Sequence, residues 1–283
     1  MQIETIFDPR TYTLTYIVWD EASKDAVVID PVLDYDPLAV KFFTETNEKV
    51  AAVVEAHGLN LLWVLETHAH ADHISGSQWL KEKFGAKIGI GSQITLVQDV
   101  FGGLFNRPDI TNGAENFDKL LEDGEVLQAG TLAVKTITTP GHTPACVTFQ
   151  IEDALFTGDA LFMPDFGTGR CDFPKGSADN LYDSVQKLYA LPDSTRVFVG
   201  HDYQPGGRAL EFETTIGESK ASNKQLQGDT SREDFVKFRT ERDAKLNPPR
   251  LIFQAIQANV VAGKLPPAED NGMRYLKMPI GVL

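Results

Sequence analysis

The sequence predicts a single α/β domain, and two observations carry that prediction. Short runs rich in Val, Ile, Leu, Thr and Tyr alternate with segments of helical spacing along most of the chain, the pattern of strands and helices layered on one core. Five of the six histidines fall just past the end of a strand-like run, the edge of an α/β sheet where ligands collect. With 283 residues and 42% apolar content, the chain can bury a substantial core. The domain is read as residues 1–283, with residues 211–283 an appendage packed on the rest.

The elements follow in order. Thr11–Trp19 and Ala26–Ile29 read as strands, the second ending in a turn at Asp30-Pro31. Residues 37–59 have helical spacing that ends near Gly58. Leu61–Glu66 is a buried strand, residues 74–84 a helix stopped by Gly85, and Lys87–Ile90 a short strand. Residues 93–117 mix apolar side chains with Gly102-Gly103 and Pro108, and read as a loop with a short helix lying over the site. Strands return at 125–127, 132–138, 147–151 and 154–157. A helix at 180–190 and a strand at 196–199 follow. Residues 211–246 are charged and helical, with Ser231 and Asp234 as a capping pair. Residues 251–262 form one more helix, and 265–283 show no periodicity.

Composition excludes several functions. The chain has 26 Lys and Arg against 40 Asp and Glu, a net charge of −14. That charge repels nucleic acid and anionic membrane surfaces. Two cysteines, Cys146 and Cys171, make no disulfide scaffold and suit a reducing compartment. Residues 1–10 lack the charged-then-apolar pattern of a secretory leader, and no run is long enough for a membrane span. The expectation is a soluble, cytoplasmic protein; a periplasmic one with its leader already removed would read the same.

The histidines carry the chemistry. His57 precedes Gly58 at a helix end, where an imidazole suits the dipole. The others differ. His68, His70, Asp72 and His73 lie within six residues, and imidazoles packed this closely are costly without a cation. A metal ion removes that cost and takes the neutral rings as ligands. Thr139-Pro140-Gly141-His142, Thr157-Gly158-Asp159 and Val199-Gly200-His201 add a histidine, a carboxylate and a histidine in turns where Gly allows close approach.

His-x-His-x-Asp-His, then Gly-His, Gly-Asp and Gly-His, resembles the metallo-β-lactamase superfamily over residues 10–203. The resemblance implies an αββα sandwich with the site along one edge of the sheets. Residues 141–146 (GHTPAC) and 169–173 (GRCDF) resemble the persulfide (sulfur) dioxygenases, the group of the ethylmalonic encephalopathy protein. The 101–117 insertion, residues 163–168 and the long C-terminus resemble a longer bacterial subgroup. Cys171 departs from the human-type motif, which carries Thr. The resemblance implies one iron(II) per chain held by His68, His142 and Asp159, an open-sided set of the kind non-haem iron oxygenases use. It implies glutathione persulfide, O2 and water as reactants, and sulfite and glutathione as products. It places His70, Asp72, His73 and His201 as hydrogen-bonding partners of the ligands. Ligand counting alone leaves a binuclear, glyoxalase II-type thioester hydrolase open. A non-catalytic member of the fold is disfavoured, because every ligand position is filled. The resemblance further implies a homodimer, and a rhodanese is a sensible metabolic neighbour.

Glutathione carries two carboxylates, so its site calls for cations. Arg170 is the nearest by motif, weighed against an ion pair with Asp165 or Asp172. Arg250, Arg274 and Lys277 are candidates from the C-terminal segment, and Tyr203 is a candidate hydrogen-bonding residue. Cys146 reads as a small buried side chain. Cys171, beside Arg170, is expected to have a lowered pKa and to be open to persulfidation.

Overall fold

The alternation read in the sequence becomes two packed sheets, in a computed structural model that describes residues 1–110 and 113–282. β1 (Gln2–Asp8), β2 (Thr13–Trp19) and β3 (Asp25–Ile29) form an antiparallel meander. β4 (Val32–Asp36) and β5 (Lys41–Phe43) form a hairpin outside that sheet. Helix α1 (Glu45–Ala56) leads into β6 (Asn60–Glu66), which lies parallel to β3. The short β7 (Ile74–Ser75) pairs back onto β4. Helix α2 (Ser77–Phe84) leads into β8 (Lys87–Gly91), parallel to β6, and α3 (Ile94–Leu104) precedes β9 (Lys119–Leu121). The order is β1-β2-β3-β6-β8-β9.

The second sheet runs antiparallel through β10 (Val126–Ala129), β11 (Leu132–Thr138), β12 (Val147–Ile151) and β13 (Ala154–Phe156). After α4 (Ala178–Tyr189), β14 (Arg196–Phe198) adds parallel to β13, and β15 (Glu213–Thr215) forms the edge. Three helices follow: α5 (Ile216–Ser222), α6 (Arg232–Asp243) and α7 (Ile252–Asn259).

Strand periodicity sorts the core. Leu14, Tyr16 and Val18 of β2 join Val27, Ile29 and the second sheet's Val134, Phe149 and Phe156 in one cluster. The alternate residues Ile17 and Trp19 pack with Val28, Val64, Val50 and Val54 of α1, and Leu80 of α2. β2 is therefore buried on both faces along its whole length. On the far side α4 adds Leu181, Val185, Leu188 and Tyr189 to the core, the i, i+4, i+7, i+8 stripe of an amphipathic helix. The layers run helix, sheet, sheet, helix.

Some readings are corrected. The helix expected from residue 37 starts at Glu45. The Asp36 carboxylate accepts from the Leu38 and Ala39 amides at 2.8 and 3.1 Å and Val40 has φ +52, so the chain turns back as a hairpin. β1, an edge strand absent from the sequence expectation, is half-exposed and carries no continuous apolar run. The short helix expected within residues 93–117 is α3, whose Val97 and Phe101 are buried against Ile252 and Ile256 of α7; none of the segment's described residues lines the metal cavity, so it does not lie over the site. Positions 111–112 of the 93–117 segment and residue 283 lie outside the described residues. The charged stretch 211–246 is a strand and two helices, not one helical run. Among the described residues no helix is long and apolar enough to cross a membrane. The small-scale signals fared better: His57 caps α1, Gly85 ends α2 with φ 74, and Ser231 accepts from the Asp234 amide at 3.1 Å.

Candidate metal centre

Two pairs of parallel strands build the site. β3 and β6 end side by side, delivering Asp30 and Thr67. β13 and β14 end side by side, delivering Gly158-Asp159 and Gly200-His201. The four ends meet tightly. A Cβ on Gly158, at φ +49, would lie 2.4 Å from Thr67 Oγ1, and one on Gly200 would lie 2.9 Å from the Gly158 backbone. Only glycine lets these strands close on one another there.

Asp30 is the hub, and the sequence reading took it for a turn residue. It accepts from the Thr67 amide and hydroxyl, both at 2.7 Å. With its hydroxyl proton committed to Asp30, Thr67 Oγ1 accepts from His68 Nδ1 at 3.0 Å. That leaves His68 Nε2 buried and without a hydrogen-bond partner. His142 is held the same way, Nδ1 donating to the Arg170 carbonyl at 2.7 Å. Its Nε2 lies 3.6 Å from Asp159 Oδ2. A fixed back nitrogen sets the tautomer and aims the other nitrogen, as outer partners of metal-bound histidines do.

His68, His142 and Asp159 thus each present a ligand atom, all within 4.8 Å of one another. The orphaned His68 Nε2 and Asp159 Oδ1 are what a cation would satisfy, since buried polar atoms otherwise find partners. Burial, with His70 and His142 nearby, holds the His68 pKa well below its ordinary value, so the ring is neutral and able to ligate.

A second group, His70, Asp72 and His201, meets the same distance criterion. His201 Nε2 lies 3.4 Å from both Asp72 Oδ2 and Asp159 Oδ1, so Asp159 touches both groups. His70 Nε2 faces Asp30 Oδ1 at 3.1 Å and Glu66 Oε2 at 3.3 Å. Burial opposes its protonation, yet those carboxylates outweigh it and raise its pKa well above the ordinary value. His73 Nδ1 lies 3.4 Å from Asp72 Oδ2 and 3.3 Å from Thr13 Oγ1.

Three distant residues lock two loops around the site, and no local sequence signal marks them. Asn259 of α7 donates to the His70 and His73 carbonyls at 2.8 and 2.7 Å and accepts from the Ser75 amide at 2.9 Å. The fully buried Arg239 of α6 donates to the Thr168 carbonyl at 3.1 Å and pairs with Asp243. Asp243 accepts from the Cys171 amide at 2.8 Å. Between those anchors, Gly169 donates to the Asp159 carbonyl at 3.1 Å and the Arg170 carbonyl holds His142. The C-terminal segment therefore supplies an edge strand and the supports of the loops around the site.

The site opens into a cavity of about 380 Å³ lined by Asp72, His142, Asp159, Arg170, Tyr203, Arg242 and Arg250, with Arg10 at its rim. Four arginines here contrast with the net charge of −14. Arg170 is paired with Asp172 at 2.5 Å and with the Asn247 carbonyl at 2.7 Å; Asp165 pairs instead with Arg208. Tyr203 stacks on His201 with ring centroids 5.5 Å apart. Arg274 and Lys277 do not line the cavity; Lys277 bonds the Asn106 carbonyl at 3.0 Å. Arg10 and Arg242 are the cavity cations the sequence reading missed.

Cys171 is also corrected. Burial pushes its thiol up to about 12, despite Arg239 nearby, and Cys146 goes to about 12 for the same reason. Arg170 is turned to Asp172, and burial outweighs Arg239, so the thiol is not activated as a nucleophile. Both cysteines are free and buried.

Residues 8–201 match the metallo-β-lactamase superfamily, and the chain belongs to it. It is 44% identical to a probable metallo-hydrolase of Burkholderia pseudomallei over the whole of both chains. It is 36% identical to the human mitochondrial persulfide dioxygenase ETHE1, covering 92% of this chain and 88% of that one. The crystal structure of ETHE1 from Myxococcus xanthus aligns with TM-score 0.76 and 34% identity, over 93% of this chain and 100% of that one. The chain spans 65% of the length of the beta-lactamase hydrolase-like protein of Agrobacterium fabrum, with 46% identity over 99% of this chain. The superfamily binds metal ions, and the protein is a metal-binding member with persulfide dioxygenase homologues.

Proposed function

We propose that the protein is a persulfide dioxygenase, oxidising glutathione persulfide with O2 and water to sulfite, glutathione and two protons. The observation that carries the reading is the convergence of His68 Nε2, His142 Nε2 and the Asp159 carboxylate, with both back nitrogens already bonded. Two neutral imidazoles and one carboxylate on one side suit iron(II) and leave positions open. Iron held there by His68, His142 and Asp159 would supply the redox chemistry toward sulfur and O2 that zinc lacks. The chain's own contribution is placement. Thr67 and the Arg170 carbonyl fix the two rings, while Arg170 and Arg250 in the cavity wall suit an anionic thiol. Tyr203 shields His201 from water. His70, Asp72, His73 and His201 serve as supports, with His70 turned to Asp30 and Glu66. The buried free cysteines accord with a reducing, cytoplasmic setting.

A second reading has its own observation. His70, Asp72 and His201 could hold a second ion, with Asp159 between the two, and relatives bear hydrolase names. Two metals held there would suit thioester hydrolysis by polarising the carbonyl and activating water. Oxygen uptake by iron-loaded protein with glutathione persulfide, together with metal analysis, tests the choice. We expect uptake with about one iron per chain. Thioester hydrolysis without uptake, at about two metals per chain, overturns the proposal.

A further inference from the structure

The metal cavity continues into a second lobe of about 480 Å³, walled by Tyr35, Asp36 and Phe43 of the β4–β5 hairpin. Arg10, Thr11, Asp72 and Arg250 line both spaces, so one ligand can occupy them together. Two charged groups in the lobe make no ion pair among the described residues, although Lys41 lies across the hairpin from Asp36. Arg250 is exposed and makes no hydrogen bond or ion pair among the described residues, whereas Arg10 is tied to Asp34 and Glu45 at 2.8 Å each. Asp36 is half-buried and accepts only from the Leu38 and Ala39 amides, both through Oδ1. Its Oδ2 remains available. In a chain with 40 acidic and 26 basic side chains, an arginine left without a carboxylate at the mouth of a cavity is a vacancy for an anion.

We infer that this lobe reads the zwitterionic α-amino-acid head of the substrate thiol, Arg250 taking its carboxylate and Asp36 its ammonium. The assignment rests on the dioxygenase reading for what happens at sulfur. It adds the substrate class: small persulfides bearing a free α-amino acid, with the γ-glutamyl end of glutathione in the lobe. A cation and an anion lining one lobe fit a zwitterion, and each discriminates against thiols lacking the opposite group. Inorganic persulfide and thiols without an amino-acid head lose both contacts. A site built to pair a charged group rejects the analogue lacking it, because its own charge is left unpaired.

Calorimetric binding of glutathione to the anaerobic iron-loaded protein tests this. The comparison ligand is glutaryl-cysteinylglycine, which is glutathione without its α-amino group. Arg250→Gln should weaken glutathione binding about tenfold, the scale of one charge-assisted bond discounted for exposure. Asp36→Asn keeps the Oδ1 acceptor that forms the turn. It should weaken glutathione about threefold to tenfold and leave binding of the comparison ligand at its wild-type value. In turnover the loss should fall on KM. Wild-type affinity for glutathione in both variants, with folding confirmed by an unchanged melting curve, overturns the assignment. So does an Asp36→Asn penalty equally large for the comparison ligand. If wild-type protein binds glutathione in this variant-sensitive way but takes up no O2 with the persulfide, the lobe assignment stands and the dioxygenase reading falls.

Discussion

The Arg239–Asp243 pair offers a test of how the C-terminal helices support the metal centre. Both side chains are buried, at 0% and 4% exposure. Asp243→Asn would leave the Arg239 guanidinium buried without its counter-charge. Breaking a buried pair on one side costs about 3–5 kcal/mol. At about 2–4 °C per kcal/mol for a chain of roughly this size, the melting temperature should fall by on the order of 10 °C. That result alone reports stability. The double variant Arg239→Met/Asp243→Leu separates stability from function, because apolar replacement of a whole buried pair is often neutral or stabilising. It should melt near the wild type, yet it removes the acceptor of the Cys171 amide and the donor to the Thr168 carbonyl. The segment between them carries the Arg170 carbonyl that fixes His142. Displacing that carbonyl, the outer partner of His142, would weaken metal binding by up to about 10–100-fold. Cobalt(II) titration with a competing chelator measures the affinity, and the visible ligand-field bands report the geometry. Wild-type cobalt affinity and bands in a well-folded double variant would refute the reasoning.

His142→Ala should lower metal content at purification, while His57→Ala, remote at the end of α1, should leave it unchanged; metal analysis of both decides it. Asn259→Ala removes the donor to two loop carbonyls, and leaving buried groups unsatisfied costs about 1–3 kcal/mol; urea unfolding should show a lowered midpoint. Cys171→Ser should retain oxygen uptake, and the native thiol should resist alkylation at pH 8, since burial keeps it protonated up to about 12; rapid labelling in the folded state contradicts this. Asp165 is held below the usual carboxylate range chiefly by hydrogen bonds from Arg208, and Asp123 by bonds from Thr138. Their folded pKa values lie below the unfolded ones, so the native state binds fewer protons. Their stabilisation is present above about pH 4 and is lost as the pH falls through the folded values. Melting temperatures from pH 6 to pH 3 should fall less steeply in Arg208→Gln, on the Asp165 arm.

The sequence exposed the candidate ligands because they cluster. His68 to His73 sit within six residues, and Gly before His142, Asp159 and His201 marks points past strand ends where neighbouring atoms leave no room for a Cβ. Caps were equally local: His57, Gly85 and Ser231 need only their neighbours. What stayed hidden is long-range or ambiguous in period. Asn259 acts across 186 and 189 residues, and nothing in its neighbourhood in α7 distinguishes it from a surface amide. Arg239 lies in a helix whose charge suggested solvent, yet it is fully buried. β1 pairs residue by residue with β2, but as an edge strand it keeps one face open and loses the apolar signal. Residues 37–43 have the spacing of a helix start, and a single Asp36 turn overrides it.

Metal count is where these levels meet. Spacing alone makes His70, Asp72 and His201 as good a ligand set as His68, His142 and Asp159. Outer contacts distinguish them. The first set has each histidine's back nitrogen engaged by a neutral oxygen, from Thr67 and Arg170, which leaves a ring free to bind a cation. In the second, His70 faces two carboxylates. Glu66 is also the acceptor for the Ser75 and Ser77 hydroxyls, so it is a held part of the fold and not a loose surface charge. Two carboxylates behind one imidazole favour a protonated ring that faces them over a neutral ring that faces an ion. The position of Glu66, immediately before Thr67 at the end of β6, therefore favours the mononuclear arrangement, and Glu66→Gln should raise the number of metals retained per chain. Unchanged stoichiometry on metal analysis of that variant would remove Glu66 from the argument and leave the binuclear reading stronger.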